Sequence, residues 1–371
     1  TRNQASTHDQ MDMPSFWPSI KRSAGGHRIA TWLREHDYDV EVIDFWPAWT
    51  REELVKLFEQ RVTDETIFVG LSAMFPLGGA GKKNQEKVKE IVTNLAHIKS
   101  LYPQLTFIGG SQNISATLAY PLDYYVGGFA EYGILALLKY IKGESTDLKL
   151  HKETFWGAER NIVQCRTDYP AWPMPQAAIK YEDRDYMRDD EIPTIELGRG
   201  CIFSCKFCSF TVLGVKGDHS RCGDSLRAEL IDNYERWGIC TYTISDETIN
   251  DSPPKLKKIA DVIRSLPFKI HLAGYIRADL LVANPDTWQD IWDMGLWSQF
   301  YGLESFNHKA AKYVGKGMKP ERLKEGLLKA KEWFQAKGAY RCTISMIVGL
   351  PYETRETFID GKNWVMENMQ G

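Results

Sequence analysis

The spacing of hydrophobic positions changes repeatedly along the chain, which predicts strands and helices in alternation. Apolar runs of five or six residues are typical of buried strands, and apolar positions at intervals of three or four indicate amphipathic helices. Within residues 1–143 this pattern predicts strands at 40–44, 67–71, 105–110 and 124–128, and helices at 26–36, 84–100 and 131–141. Such alternation predicts a parallel, doubly wound sheet that binds ligands beyond the carboxyl ends of its strands.

The pattern is interrupted between residues 144 and 191, a proline-containing stretch that we expect to be an irregular linker. From residue 192 to residue 371 the alternation resumes. It predicts strands at 194–198, 241–245, 269–275, 298–303 and 341–348, and helices at 224–237, 253–265, 286–294, 320–337 and 355–369. Parallel strands with helical crossovers close into a barrel or part of one. The predicted fold is therefore α/β, with an N-terminal doubly wound domain followed by a partial barrel.

Composition narrows the class of protein. The chain has 371 residues, 43% of them hydrophobic, which is enough for two domains. A net charge of −3 gives no indication of nucleic-acid binding. No apolar run is long enough to span a bilayer, no signal peptide is visible, and seven cysteines do not resemble a secreted disulfide framework, so we expect a cytoplasmic protein without a membrane partner. The chain begins at Thr1 without Met and stops directly after a predicted helix, so we expect the complete protein to extend further.

Three closely spaced cysteines, Cys201, Cys205 and Cys208, follow the first predicted strand of the second domain. Three thiolates can hold three irons of a cubane cluster and leave the fourth iron open, whereas electron-transfer clusters use four cysteines. A structural zinc site is the alternative, but zinc needs four ligands and no second cysteine pair lies near this loop. The position after a strand is also where α/β barrels carry their chemistry.

This C-x₃-C-x₂-C loop resembles the signature of the radical S-adenosylmethionine enzymes. The resemblance implies a [4Fe-4S] cluster on the three cysteines, with S-adenosylmethionine on the open iron. One electron would cleave it to a 5′-deoxyadenosyl radical. The family has an aromatic residue before the last cysteine, and Phe207 would lie here near the adenine. An unidentified substrate and a reductant such as flavodoxin or ferredoxin are the implied partners.

Residues after the later strands resemble the same family in order. Ser245-Asp246-Glu247 stands where the family holds the methionine amino group. Arg277 follows the third strand, and a guanidinium can bind the methionine carboxylate with two parallel hydrogen bonds. The resemblance extends to the Gly-x-Glu-Ser and Gly-Leu-Pro motifs, and it implies further S-adenosylmethionine contacts from Gly302, Glu304, Val348, Gly349, Leu350 and Glu353. Tyr352 stands where the family has a second glycine.

The N-terminal domain resembles the cobalamin-binding domain that precedes many of these cores. The likeness is carried by a Gly-Gly pair that closes a strand and by the stretch 123–131, and it implies cobalamin contacts from Ser72, Gly109, Gly110, Gly127 and Gly128. A motif that would supply an axial histidine is missing. His27, at the start of a predicted helix, is interpreted as polar surface. The domain could also retain the fold without the cofactor.

The function implied by these resemblances is radical cleavage of S-adenosylmethionine, with cobalamin-dependent methylation of an unactivated carbon, or of phosphorus, as the leading reaction. A cobalamin-independent rearrangement, cyclisation or sulfur insertion is the alternative. A hypothesis of another class is an iron–sulfur electron-transfer or sensing protein. It would need a fourth ligand and no S-adenosylmethionine contacts. A scaffold without activity is disfavoured because all three cysteines are present. The sequence assigns no catalytic side chain and no substrate.

Overall fold

Two parallel sheets organise the chain, and each lies in its own compact unit. A computed structural model describes residues 22–72, 82–112, 114, 117–169, 178–208 and 219–369. Of these, the first unit comprises residues 22–169 and 180–185, and the second comprises 178–179 and 186–369. The chain therefore returns briefly to the first unit before it continues into the second.

The first sheet has the strand order β1-β2-β3-β5-β4. Its strands are β1 (Phe68–Ser72), β2 (Thr106–Ser111), β3 (Tyr124–Gly127), β4 (His151–Phe155) and β5 (Ala158–Gln164). The neighbouring pairs are parallel except for β4, which pairs antiparallel with β5 at one edge. The helices are α1 (Ala24–Arg34), α2 (Arg51–Arg61), α3 (Lys82–Leu101), α4 (Glu131–Ile141) and α5 (Cys165–Asp168), with 3₁₀ turns at Trp46–Ala48 and Asp183–Asp185.

Helices cover both faces of this sheet. Consecutive residues of a strand point to opposite faces. Phe107 of β2 belongs to an apolar cluster with residues of α2 and α3, whereas the next residue, Ile108, belongs to a second cluster with residues of α1 and α4. The doubly wound arrangement predicted from the sequence is therefore confirmed.

The predicted strand at 40–44 does not form. The carbonyl of Val40 accepts hydrogen bonds from Arg34 Nε at 3.0 Å and Nη2 at 2.7 Å, and the carbonyl of Asp44 accepts one from Trp49 Nε1 at 2.9 Å. Side chains thus occupy backbone acceptors that a neighbouring strand would use. The segment supplies apolar side chains to the core without joining the sheet.

A hairpin, β4–β5, lies within the stretch for which the sequence predicted irregular structure. Its two-residue turn consists of Trp156 at φ 48° and Gly157 at φ 76°. Turns with two positive φ angles match the twist of a hairpin, but they favour Asn, Asp or Gly at the first position. Strand β4 is largely exposed, so its sequence has no apolar alternation that would reveal it.

The second sheet has the strand order β12-β11-β10-β9-β6, and all its neighbouring pairs are parallel. The strands of this unit are β6 (Thr194–Ile195), β7 (Gly198–Arg199), β8 (His219–Ser220), β9 (Thr241–Ile244), β10 (His271–Arg277), β11 (Leu296–Glu304) and β12 (Arg341–Met346). Strands β7 and β8 form a separate antiparallel pair. The helices are α6 (Gly223–Trp237), α7 (Pro253–Arg264), α8 (Ala278–Ala283), α9 (Trp288–Asp293), α10 (His308–Tyr313), α11 (Pro320–Lys337) and α12 (Arg355–Asn368), with a 3₁₀ turn at Pro285–Thr287.

The spatial order of these five strands follows their order in the chain, as expected of a partial barrel. Because the strands are parallel, all their carboxyl ends lie at one edge, where the loops that carry chemistry meet. The predicted α/β class with parallel sheets is confirmed. Among the helices that the structure describes, none combines the length and hydropathy needed to cross a bilayer.

Candidate active site

The three-cysteine loop contacts the residues that follow the central strands of the second sheet. Cys201 Sγ lies 3.9 Å from Thr248 Oγ1, which follows β9. Arg277, the last residue of β10, donates a hydrogen bond from Nη1 to Cys205 Sγ at 3.3 Å. The N–H of Cys208 donates to the carbonyl of Cys205 at 3.0 Å, which gives the loop a tight turn. The loop is thereby attached to the carboxyl edge of the parallel sheet.

The turn after α10 packs directly on this loop. The carbonyl of Val314 accepts a hydrogen bond from Lys206 N at 3.2 Å, and the carbonyl of Gly315 accepts one from Arg277 Nη2 at 3.2 Å. Gly315 has φ 95°, and a Cβ atom at this position would lie 3.6 Å from Cys205 Cα. A distance of 3.6 Å is an ordinary van der Waals contact, so it is the left-handed conformation that favours glycine here.

The chemistry of the loop fits an iron–sulfur cluster. All seven cysteines of the chain are free thiols, and thiolates are the ligands such clusters use. Cys205 is buried, whereas Cys201 and Cys208 are partly exposed. In the described part of the chain, no group of three His, Cys, Asp or Glu side chains could hold a single metal ion. A cubane cluster instead takes each thiolate on a different iron.

Two neighbouring carboxyl groups follow β9, and both hold their protons unusually tightly. Burial raises the pKa of Asp246 to about 7, although Asp246 accepts a hydrogen bond from Leu197 N at 2.9 Å and lies 3.9 Å from Lys255 Nζ. Burial, with a smaller contribution from the nearby Asp246, raises the pKa of Glu247 to about 8. Glu247 Oε2 is buried and has no hydrogen-bond partner among the described residues. The neighbouring Ser245 side chain is exposed.

Arg277 is engaged by its own chain in a way that the sequence did not predict. Its Nε and Nη2 groups bind the two carboxylate oxygens of Asp279 at 3.0 and 2.7 Å. Its Cζ atom lies 3.9 Å from the centre of the Phe203 ring. The two parallel donors expected to hold the methionine carboxylate are therefore already paired with Asp279.

A buried ion pair lies at the end of β11. Lys316 Nζ donates to Glu304 Oε1 at 2.8 Å and to the carbonyl of Gly302 at 2.5 Å. A Cβ atom at Gly302 would lie 2.9 Å from Glu304 Oε1, so glycine makes room for this pair. Phe207 is 43% exposed, and its ring centre lies 5.9 Å from Lys316 Nζ. The structure thus brings Phe207, Gly302 and Glu304 together, and it adds Lys316, a lone lysine in a Gly-Lys-Gly stretch that carries no recognisable motif.

The residues after β12 separate into exposed and buried positions. Val348 is 73% exposed, and Gly349 has φ 85°. Leu350 is buried in a small apolar cluster with residues of α10, so its side chain serves packing. Glu353 accepts a short hydrogen bond from Ser305 Oγ, which fixes the loop to the Glu-Ser pair after β11.

Tyr352, which stands where the family has glycine, adopts φ 70°. Its carbonyl accepts a hydrogen bond from Asn307 Nδ2 at 3.0 Å, and its ring meets that of Tyr313 edge-on with centres 5.7 Å apart. The positive φ angle explains why glycine suits this position.

The glycines predicted to contact cobalamin are largely explained by the packing of the first unit. A Cβ atom at Gly109 would lie 2.2 Å from a methyl carbon of Leu122, and one at Gly127 would lie 3.0 Å from Ile114 Cδ1. One at Gly110 would lie 3.2 Å from a β3 carbonyl, and Gly128 has φ 98°. The Ser72 side chain, at the end of β1, accepts a hydrogen bond from the Oγ of the α1 N-cap at 2.8 Å.

His27 is fully buried, so its interpretation as polar surface is wrong. Its Nε2 atom lies 2.7 Å from Asp44 Oδ2, and its Nδ1 atom lies 4.0 Å from Asp185 Oδ1. The Asp44 carboxyl has a lowered pKa: burial opposes its ionisation, but the contacts with His27 and Arg22 outweigh that effect. Both ring nitrogens face carboxylates, which makes this histidine part of a buried polar network of the first unit.

The sequence and the fold were compared with known proteins. Residues 195–365 match the family described as the Radical SAM superfamily. A curated protein of Pyrococcus horikoshii, described as an uncharacterized methyltransferase, is 24% identical over 175 residues, which cover 46% of this chain and 36% of that protein. The chain thus spans only about a third of that relative.

Solved structures share the fold over nearly the whole chain. The cobalamin-dependent S-adenosylmethionine radical enzyme OxsB superimposes with a TM-score of 0.69 at 17% identity, covering 92% of this chain and 49% of OxsB. TsrM of Kitasatospora setae, a radical S-adenosylmethionine methyltransferase, superimposes with a TM-score of 0.69 at 16% identity, covering 94% of this chain and 69% of TsrM. The resemblance found in the sequence is confirmed: residues 195–365 match the radical S-adenosylmethionine superfamily, and the fold is that of solved enzymes described as radical S-adenosylmethionine enzymes.

Proposed function

We propose that the protein is a radical S-adenosylmethionine enzyme that catalyses cobalamin-dependent methylation of an unactivated carbon. One observation carries the first half of the proposal: a loop with three free thiols contacts the residues after β9 and β10 at the carboxyl edge of a parallel sheet. Cys201, Cys205 and Cys208 would hold a [4Fe-4S] cluster there. Held by these three thiolates, such a cluster would supply the electron needed to cleave S-adenosylmethionine.

Side chains around the loop suit the parts of S-adenosylmethionine. Glu247, with its free Oε2, can accept from the methionine amino group. The exposed ring of Phe207 offers an apolar face for adenine, and Val348 offers a second exposed apolar surface. Glu304 can accept from a ribose hydroxyl only with the oxygen that Lys316 leaves free, because Lys316 binds its Oε1.

The methyl-transfer half of the proposal rests on the first unit. Its doubly wound sheet is of the kind that binds ligands beyond the carboxyl ends of its strands. At that edge Ser72, Gly110 and Gly128 contribute little side-chain bulk, which suits a large cofactor. OxsB is described as cobalamin-dependent and TsrM as a methyltransferase, and both share this fold. Cobalamin binding by this chain is proposed on these grounds.

The proposed reaction also needs an organic substrate and a low-potential electron donor, such as flavodoxin or ferredoxin. Seven free thiols suit a reducing compartment such as the cytoplasm.

Product analysis after anaerobic cluster reconstitution tests this function. We would supply iron, sulfide, S-adenosylmethionine, cobalamin and a strong reductant to the wild type and to Cys205→Ala, with Cys240→Ala as the matched control at a cysteine outside the loop. We expect the wild type and Cys240→Ala to bind about four irons, absorb in the visible range and form 5′-deoxyadenosine. S-adenosylhomocysteine formed alongside it would support methyl transfer.

Each half of the proposal can fail separately. Full turnover by Cys205→Ala would contradict the cluster assignment. A loaded wild type that neither binds S-adenosylmethionine nor forms either product would favour an electron-transfer or sensing protein. Formation of 5′-deoxyadenosine with no cobalamin bound to the protein would leave the radical chemistry but contradict the cobalamin-dependent reaction.

A further inference from the structure

The side chain of Arg277 is held by four hydrogen bonds within the second unit. Besides the two bonds to Asp279, Nη2 donates to the carbonyl of Gly315 at 3.2 Å and Nη1 donates to Cys205 Sγ at 3.3 Å. A guanidinium has five N–H groups. Four of them therefore have partners in the protein before any ligand is bound.

The backbone and the plane of Arg277 are fixed as well. Its N–H donates to Asn250 Oδ1 at 2.9 Å, and Asn250 Nδ2 donates back to its carbonyl at 3.1 Å. The ring of Phe203, from the cysteine loop itself, lies 3.9 Å from the guanidinium carbon. An arginine whose two parallel donors are occupied and whose plane is packed has little freedom to turn toward a second carboxylate.

We propose that Arg277 is a positioning residue of the cluster, and that with Asp279 it sets the reduction potential of the cluster instead of binding the methionine carboxylate. This inference rests on the proposed function, because it needs a cluster on Cys205. It reassigns an arginine that the sequence alone directed to the substrate side of the site.

Opposite effects on the potential follow from the two members of the pair. A hydrogen bond to a cluster sulfur stabilises the reduced state, because reduction adds negative charge to the cluster. The positive charge of the guanidinium acts in the same direction. The negative charge of Asp279 offsets part of the positive charge of the guanidinium. Its two hydrogen bonds also hold the guanidinium beside the thiolate of Cys205. Removal of the arginine should therefore lower the potential, and neutralisation of Asp279 should raise it.

The test uses Arg277→Gln and Asp279→Asn. The matched control is Arg264→Gln, since Arg264 also binds carboxylates, those of Asp290 and Asp293, but has no cysteine partner. Each full-length variant would be reconstituted anaerobically and its midpoint potential measured by electron paramagnetic resonance during redox titration. Iron content and the Kd for S-adenosylmethionine would be measured on the same samples.

We expect the reduction equilibrium to fall about tenfold in Arg277→Gln, which corresponds to about 59 mV for a one-electron couple. We expect a shift of opposite sign in Asp279→Asn, no shift in Arg264→Gln, and affinities for S-adenosylmethionine that stay within about threefold of the wild type. An unchanged potential in Arg277→Gln together with much weaker S-adenosylmethionine binding would overturn the inference.

Two further results are decisive. If Arg277→Gln binds no iron, Asp279→Asn decides alone: a more positive potential supports the inference, and an unchanged potential overturns it. If the wild type itself binds no iron, the proposed function fails first, and this failure is distinguishable because it appears without any substitution.

Discussion

Glu247 has its ionisation set by burial at the carboxyl edge of the second sheet. Its pKa is raised to about 8 from an ordinary value of 4.5. Between these two values the unfolded chain has released the proton while the folded protein still holds it. The folded state therefore binds more protons, and its stability falls as the pH rises through this range.

Replacement of Glu247 by glutamine should remove this loss. We expect Glu247→Gln to be more stable than the wild type at pH 8, with the advantage shrinking toward pH 5, and an upper bound of a few kcal/mol because one pKa unit is worth about 1.4 kcal/mol. Urea unfolding at the two pH values measures the effect. Glu325→Gln, at an exposed helical ion pair, is the matched control. An equal stability difference at both pH values would contradict the raised pKa.

Contacts between residues that are distant in the chain were not predicted from the sequence. His27 lies 2.7 Å from Asp44 and 4.0 Å from Asp185, and Arg277 donates to Cys205 as well as to the nearby Asp279. Lys316 was not predicted for the same reason, because it is buried by its ion pair with Glu304 at the end of β11. In contrast, the cysteine loop and Glu304 were recognisable, since their motifs are contiguous.

At the scale of elements, predictability followed burial. The buried strands of both sheets have continuous apolar runs, and the boundaries of α4 and α11 were predicted to the residue. The exposed strand β4 has no such signal. The segment 40–44 has an apolar run but no partner strand, because side chains occupy two of its carbonyls. The pattern of hydrophobic residues therefore predicts which segments are buried, but it predicts only indirectly which of them pair as strands.

The turn between β12 and α12 offers a prediction at this scale. Tyr352 holds a left-handed backbone that costs a non-glycine residue roughly 1 kcal/mol. Its side chain is 63% exposed, so little packing is lost on its removal. We expect Tyr352→Gly to raise the free energy of unfolding relative to Tyr352→Ala by roughly 1 kcal/mol. Both variants lose the same ring contact with Tyr313, so the comparison isolates the backbone. Equal stabilities in chemical denaturation would contradict it.

At the scale of the whole molecule, the first unit is held together by residues from two separate segments of the chain, 22–169 and 180–185. Arg22 donates to the carbonyl of Asp185 at 2.7 Å, and Arg34 Nη1 lies 3.0 Å from the Asp185 carboxylate. These contacts join the start of the unit to a segment about 150 residues later.

A fragment of residues 22–169 should therefore be less stable than one of residues 22–186. Without Asp185, the buried Arg34 loses a carboxylate partner, and loss of one partner of a buried ion pair costs about 3 to 5 kcal/mol. Denaturant unfolding of the two fragments measures the difference, and Asp185→Asn in the longer fragment separates the charge from the added chain. Equal midpoints for all three would show that the returning segment contributes nothing.

The returning segment also affects how the first unit folds during synthesis on the ribosome. Synthesis proceeds from the N-terminus at about 5–20 residues per second, and early domains usually fold as they emerge. Here the last structural residue of the first unit is Asp185, which is translated after residues 178–179 of the second unit. The contacts of Arg22 and Arg34 with Asp185 can therefore form only after the ribosome has begun the next unit. If the ribosome paused between residues 169 and 185, Arg22 and Arg34 would lack their partner Asp185 for longer, and the incompletely folded unit would be exposed to chaperones and proteases for that time.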